Sequence, residues 1–224
     1  MKLFIIFFFS LVLLAKEHKV LQIDFQDAPN MQNALPYLEK KGFSFKFNKE
    51  DFLFSIHNKI LYIESKKQSA VLFGMLFSKK QMVPITKVTI DWGVQQFPEG
   101  ASWERGNNRL AIGLILVFGN KKLPSGIGFL APKVPTFLAP FIGEKEKLHK
   151  RYFGKLYKNG GRYYCVSNTK GKLLHTIFEI ASKYQKEFHT TPPPLSAFAF
   201  QMNTKDTTSN AKAYIKSITF YNDK

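Results

Sequence analysis

The chain has a single cysteine, Cys165, among 224 residues, so no internal disulfide can hold the fold and packing alone must do so. Within Arg162-Tyr-Tyr-Cys-Val-Ser167, a strand-like run, that thiol reads as a buried and inert side chain. Carboxylates are also few: 16 Asp and Glu against 33 Lys and Arg leave a net charge of +17. Glycoside hydrolysis usually needs two carboxylates facing a cleft. Only Asp91, Glu99, Glu104 and Asp206 stand in distinctive sequence, and no spacing brings two of them together. Missing too are a serine nucleophile elbow, a glycine-rich phosphate loop and a histidine pair at helical metal spacing. His18, His57, His149, His175 and His189 are scattered. His175 and Glu179 share a face if their strand alternates, a pattern better explained by a solvated face than by an acid-base dyad. No metal or cofactor is expected, and the sequence leans away from an enzyme. A glycan-active hydrolase or lyase using Asp91, Glu104 or Asp206 is the alternative.

No run reaches the roughly 20 apolar residues that cross a bilayer. The longest, Leu3 to Leu14, follows Met1 and Lys2, is broken only by Ser10, and ends at Lys16-Glu17-His18-Lys19. That is the layout of a secretory signal peptide. Residues 1–15 are read as this signal, with Ala15 the candidate cleavage residue; a buried first strand or an uncleaved anchor is the other reading. The expectation is an exported protein, periplasmic or extracellular, with residues 16–224 as one domain. Its lysine-rich charge attracts polyanions in general. The charge is scattered, however, and no nucleic-acid motif accompanies it. A glycan or anionic envelope polymer is the expected partner; nucleic acid is not.

Abundant instead is the material of strands, with 23 Phe and 15% aromatic residues. Short apolar or alternating runs punctuated by Asn, Gly, Lys and Pro predict an all-β antiparallel sandwich with one or two short helices. Phe43–Phe47, Asp51–Ile56, Ile60–Glu64 and Ala70–Phe77 are four such runs, expected to form a meander, with His57-Asn58-Lys59 as a hairpin turn. Across Ile85–Val94 the period of two puts Val88, Ile90, Trp92 and Val94 on one face and Lys87, Thr89 and Asp91 on the other. Trp92 is therefore a core residue. Leu110–Phe118 is apolar on both faces and is predicted to be central and covered on both sides. Tyr163–Val166, Leu173–Ile180, Leu195–Met202 and Ala211–Tyr221 read as further strands. Ala181–Phe188 is the best helix, stopped by Thr190-Thr191-Pro192-Pro193-Pro194.

The densest segment lies between two strong strands, from Asp91 to Arg109. An exposed indole beside forked polar groups suits a sugar, whose apolar face the ring covers while the polar groups take the hydroxyls. Trp103, Glu104, Arg105, Asn107, Asn108 and Arg109 are the candidates, although Trp103 serves equally as a cap on the core. Gly126–Leu156 reads as irregular. Phe129-Leu-Ala-Pro132 recurs as Phe137-Leu-Ala-Pro140, and neither helix nor strand is expected to hold so much proline. Phe129–Phe141 is then either an exposed apolar flap touching a membrane beside the basic run Lys145–Lys158, or a loop packed over the sandwich end.

Four segments carry a resemblance to a known family: Leu61-Tyr-Ile-Glu-Ser-Lys-Lys-Gln-Ser-Ala-Val-Leu72, Ile85-Thr-Lys-Val-Thr-Ile-Asp-Trp92, the Glu104-Arg-Gly-Asn-Asn-Arg109 turn, and the ending from Pro193 to Phe220. From about Gly42 to Phe220 the chain resembles the bacterial domain of unknown function 3047. The resemblance implies an exported jelly-roll sandwich akin to carbohydrate-binding modules, a fold-level analogy. That family's turn usually carries Gly-Asp-Asp, whereas Asn107 and Asn108 follow Gly106 here, which argues against a calcium site because hard cations prefer carboxylate oxygens. Asp206 matches an acidic position of the family's penultimate loop. Residues and resemblance together predict a non-catalytic, lectin-like module with its site at Trp103–Arg109 and Asp206, or else a structural envelope protein docking through Phe129–Phe141.

Overall fold

Val88, Ile90, Trp92 and Val94 are fully buried, as their alternation requires, while Lys87, Thr89 and Asp91 between them stay half-exposed. A computed structural model describes residues 17–125 and 133–223; the N-terminal run read as a signal and the first Phe-Leu-Ala-Pro unit lie outside the described residues. The chain lays down β1 (Glu17–Asp24), helix α1 (Leu35–Lys40), β2 (Ser44–Phe47), β3 (Phe52–His57), β4 (Ile60–Ser65) and β5 (Ala70–Leu76). Then come β6 (Lys87–Gln96), β7 (Leu110–Leu123), β8 (Val134–Ile142), β9 (Arg151–Tyr152) and β10 (Gly161–Ser167). Last are β11 (Leu174–Glu179), helix α2 (Ile180–Phe188), β12 (Leu195–Asn203) and β13 (Lys212–Asp223).

Two sheets stack into a sandwich. One has six strands in the order β11-β6-β13-β4-β3, with β1 also paired to β13; the other has seven, β2-β5-β12-β7-β8-β10-β9. Every pairing is antiparallel except that of β8 with β10. Phe73, Leu114, Leu116, Phe198 and Phe200 of the larger sheet share one core with Phe54, Ile63, Trp92, Ile215 and Phe220 of the smaller. Phe54 meets Phe73 edge-on at 5.2 Å, and Phe198 meets Phe220 at 5.1 Å. Each large side chain so buried contributes about 1.5–3 kcal/mol. Trp92 also satisfies its indole N–H, which donates to Thr176 Oγ1 at 2.8 Å.

Three expectations need correction. The four early runs do not form a meander: β3 and β4 make the predicted hairpin, with Asn58 and Lys59 both at positive φ as its two-residue turn requires, but β2 pairs with β5 in the opposite sheet. Phe45 pulls them there, packing on both Phe54 and Phe73. Second, β7 is central, yet only one of its faces is fully covered; Ile115 and Val117 remain half-exposed on the other. Third, the described part of the supposed flap, residues 133–141, lies almost wholly in a strand. β8 runs between β7 and β10 with Phe137, Leu138, Ala139 and Phe141 buried, so it offers no membrane-touching surface. Its prolines are tolerated because the β7–β8 ladder has no paired positions at Ala139 and Pro140, and Pro135 lies beside a register break. Among the described residues no helix is long and apolar enough to cross a membrane.

Candidate functional site

Trp103 is held from both ends. Its backbone N–H donates to Glu146 Oε1 at 3.0 Å and its indole N–H to the Arg109 carbonyl at 3.1 Å. Its ring stacks on Phe141 (5.0 Å between centroids) and lies 4.6 Å from Tyr163. With Phe137, Tyr152 and Cys165 these rings form a second small core, on the outer side of β8 and β10. Trp103 is only 6% exposed. Burial pushes the Cys165 thiol up to about 11, so the native thiolate fraction near pH 8 falls about a hundredfold below that of an ordinary cysteine. A disulfide reagent is therefore expected to leave the folded protein unmodified and to titrate one thiol in denaturant; prompt native labelling would contradict this packing.

The rest of the loop is fastened to the turn after β12. Asn107 Nδ2 donates to the Gly100 and Asp206 carbonyls (2.9 and 3.0 Å), and Arg109 donates to the Lys205 carbonyl (2.6 Å) while pairing with the Asp206 carboxylate. That pairing holds the Asp206 carboxyl below its usual range. Glu104 accepts from Lys150 Nζ and the Tyr152 hydroxyl, each at 2.6 Å, and is likewise lowered, chiefly by Lys150. Arg105 is exposed, and its backbone N–H donates to Ser102 Oγ.

Beside this loop opens a cleft of about 600 Å³ on the outer face of the seven-stranded sheet. Leu72 and Gly74 of β5, Ala197, Ala199 and Gln201 of β12, and Ile115 and Val117 of β7 line it. This explains the two apolar faces of β7: one faces the core and the other this recess. Gly74 is required there, because a side chain would collide with the backbone of Phe198 and Ala199 on β12. Ser44, Lys46 and Phe47 stand on the β2 side, and Gly154–Tyr157 on the other. Phe47, Leu76 and Leu156 are exposed. Trp103, Asn108 and Arg109 reach the cleft, whereas Glu104, Arg105, Asn107 and Asp206 are not among its lining residues. The lining includes Lys46, Arg109, Lys155 and Lys205 but no Asp or Glu. Lys46, Lys155 and Lys205 make no ion pair among the described residues. The Gln201 side-chain oxygen is buried without a hydrogen-bond partner.

Sequence reasoning missed Lys46, Lys205 and Gln201 and placed Lys155 only in the basic run beside the supposed flap; these residues lie on segments far apart in the chain. It also missed the partner of His175: Nδ1 lies 2.7 Å from Asp91 Oδ1, and Ser217 Oγ donates to Oδ2 at 2.7 Å. The carboxylate there joins serine to histidine, whereas a nucleophilic relay needs the histidine between the other two. Asp91, Glu99, Glu104 and Asp206 each engage a different neighbour, respectively His175, Thr208, Lys150 and Arg109, and none lines the cleft. Among the described residues no three His, Cys, Asp or Glu side chains converge as metal ligands would.

Fold and cleft together define an antiparallel β-sandwich with a ligand-sized recess on one outer face. Solved structures similar to it include a low-affinity xylan-binding module from Roseburia intestinalis, with 12% identity, a TM-score of 0.34, and 80% of this chain and 93% of that one covered. A family 29 carbohydrate-binding module from Piromyces equi has 10% identity, a TM-score of 0.35 and coverage of 90% and 89%. The xyloglucanase domain of a type three effector from Sinorhizobium fredii, in complex with cellobiose, has 7% identity, a TM-score of 0.42 and coverage of 79% and 92%. Similarity at this level says nothing of what this chain binds. No protein-family model matches the chain, and no curated protein does either.

Proposed function

We propose that the chain is an exported, non-catalytic binding module whose cleft takes an anionic glycan. One observation carries this reading: Lys46, Lys155 and Lys205, none of them in an ion pair among the described residues, line the cleft together with Arg109, and apart from Asp206 behind Arg109 no carboxylate stands against them among the described lining residues. Cations in excess at a recess favour a ligand bearing carboxylate or sulfate groups. The apolar lining of Ile115, Val117 and Leu72 suits the C–H face of a sugar ring, and Asn108, Asn203 and Ser44 supply donors and acceptors for hydroxyls. The open acceptor on Gln201 calls for a donor of that kind. Export rests on the N-terminal apolar run, and the expected mature N-terminus follows Ala15.

Polygalacturonate and dextran, compared by affinity electrophoresis at two salt concentrations, test the reading. The acidic polymer is expected to retard the protein, less so at high salt because exposed charge pairs are screened. A combined Lys46→Ala, Lys155→Ala and Lys205→Ala variant is expected to bind at least about tenfold more weakly, since charge-assisted contacts contribute about 1.5–3 kcal/mol each. Equal retardation by both polymers, or by wild type and variant, would refute it.

A further inference from the structure

The opposite side of the sandwich carries another recess, of about 290 Å³, on the outer face of the six-stranded sheet. That is near the small end of ligand pockets, which run from about 300 to 1,000 Å³. Ser55 and Tyr62 of its lining belong to a cross-strand row that continues beside the recess. Ser55 on β3 pairs with Tyr62 on β4, Tyr62 with Tyr214 on β13, and Tyr214 with Gly93 on β6. Residues directly opposite one another in a ladder point to the same face, so the two rings stand side by side, 5.7 Å between centroids.

Gly93 explains how they lie. A Cβ at that position would collide with the hydroxyl end of Tyr214, so the ring lies across the bare backbone. A glycine inside a strand weakens it and marks a close approach of another group. Tyr214 is thereby buried, and Tyr62 beside it remains half-exposed.

Around the Tyr62 ring the polar groups are open. Gln32, Ser55, His57 and Gln95 line the recess, and their side chains make no hydrogen bond within the described protein. Its charged lining residues, Glu64 and Lys212, bridge each other at 3.0 Å and so cancel. The recess differs from the cleft in its charge: beside the Tyr62 ring it offers unpartnered amides and a hydroxyl, and its charged pair is compensated.

We infer that this recess is a second binding site, for one or two residues of a neutral saccharide. The Tyr62 ring covers the C–H face of the sugar, while Gln32, Gln95 and His57 exchange hydrogen bonds with its hydroxyls. An anionic ligand gains nothing here over water, because no free cation awaits it. This site shares no residue with the cleft and does not depend on the reading of the cleft. With both occupied, the module would bridge two glycan segments across the thickness of the sandwich.

Titrating the isotope-labelled protein with neutral gluco-, xylo- and manno-oligosaccharides to millimolar concentration, followed by NMR, tests the inference. At least one series is expected to shift the Tyr62 and Tyr214 ring signals and the Gln32 and Gln95 side-chain amides. Tyr62→Ala is expected to weaken that binding about tenfold. Gln95→Ala, at an exposed position where folding is not at stake, is expected to weaken it several-fold, whereas Lys205→Ala in the cleft leaves it unchanged. Saturating shifts confined to the cleft, shifts that persist unaltered in both recess variants, or no shift with any series would overturn the inference.

Discussion

Replacing Glu146 by alanine is expected to destabilise the protein by about 3–5 kcal/mol, a large share of the roughly 5–15 kcal/mol that holds a typical domain together. Glu146 is 5% exposed and accepts three backbone N–H groups: Trp103 on Oε1 at 3.0 Å, and Glu144 and Lys145 on Oε2 at 2.9 and 3.1 Å. Without the carboxylate these donors lose their acceptor, each at about 1–3 kcal/mol when buried. The Trp103 loop loses its main tether at the same time. Glu146→Gln is expected to lose less, about 1–3 kcal/mol, because an amide can serve one of the two donor groups but presents N–H to the other. Denaturant melts measure the loss, and tryptophan emission should move to the red through Trp103 alone, Trp92 being fully buried in the main core. A loss below about 1 kcal/mol with unshifted emission would mean that Glu146 does not organise the loop.

That tether was invisible in the sequence, and the reason is physical. Lys145-Glu146-Lys147 reads as part of a solvated basic run, because nothing local reveals that the acid turns inward to meet a donor 43 positions away. The cleft lysines are illegible for the same reason: Lys46, Lys155 and Lys205 come from β2, a turn and the loop after β12, and only the tertiary fold makes them neighbours. Local periodicity was reliable where one face was buried and the other wet, as in Val88-Thr89-Ile90-Asp91-Trp92. For β7 it found two apolar faces and a central place, but one of those faces lines the open cleft and is not covered by a second layer. It failed for β8, where Pro135 and Pro140 argued against a strand that neighbouring strands nevertheless hold in place. The loop from Trp103 to Arg109 stood out by composition, and it does border the cleft through Trp103, Asn108 and Arg109. Which of its polar groups would instead pair with one another was a matter of distant partners, and local sequence could not decide it.

Glu187 offers the second large effect, this time through pH. Its side chain is 3% exposed near the end of α2, where Tyr164 donates to Oε1 at 2.7 Å and Arg151 and Arg162 donate to Oε2 at 2.8 and 3.1 Å. Burial alone would raise this carboxyl; the hydrogen bonds from Tyr164 and Arg151, with the charge of Arg151, outweigh it and hold the group below its usual range. Glu187→Ala would strand Arg162, itself mostly covered and stacked over Phe153 and Phe188. Breaking such a pair from one side is expected to cost about 3–5 kcal/mol. Because the folded value lies below that of an unfolded glutamate, about 4.3, its contribution is fully present above that pH and is lost as pH falls through the folded value. The stability gap between wild type and Glu187→Gln should therefore be widest near neutrality and shrink on acidification below about pH 4. The lowered carboxyls of Asp27, Glu104 and Asp206 are close to solvent and add little, and that of Asp51, buried beside Lys67, is common to both proteins and leaves the gap between them unchanged. Urea melts of both proteins from neutral to acid pH measure the gap. One that stays constant, or widens toward low pH, would show that the ionised Glu187 is not what fastens α2 to β10.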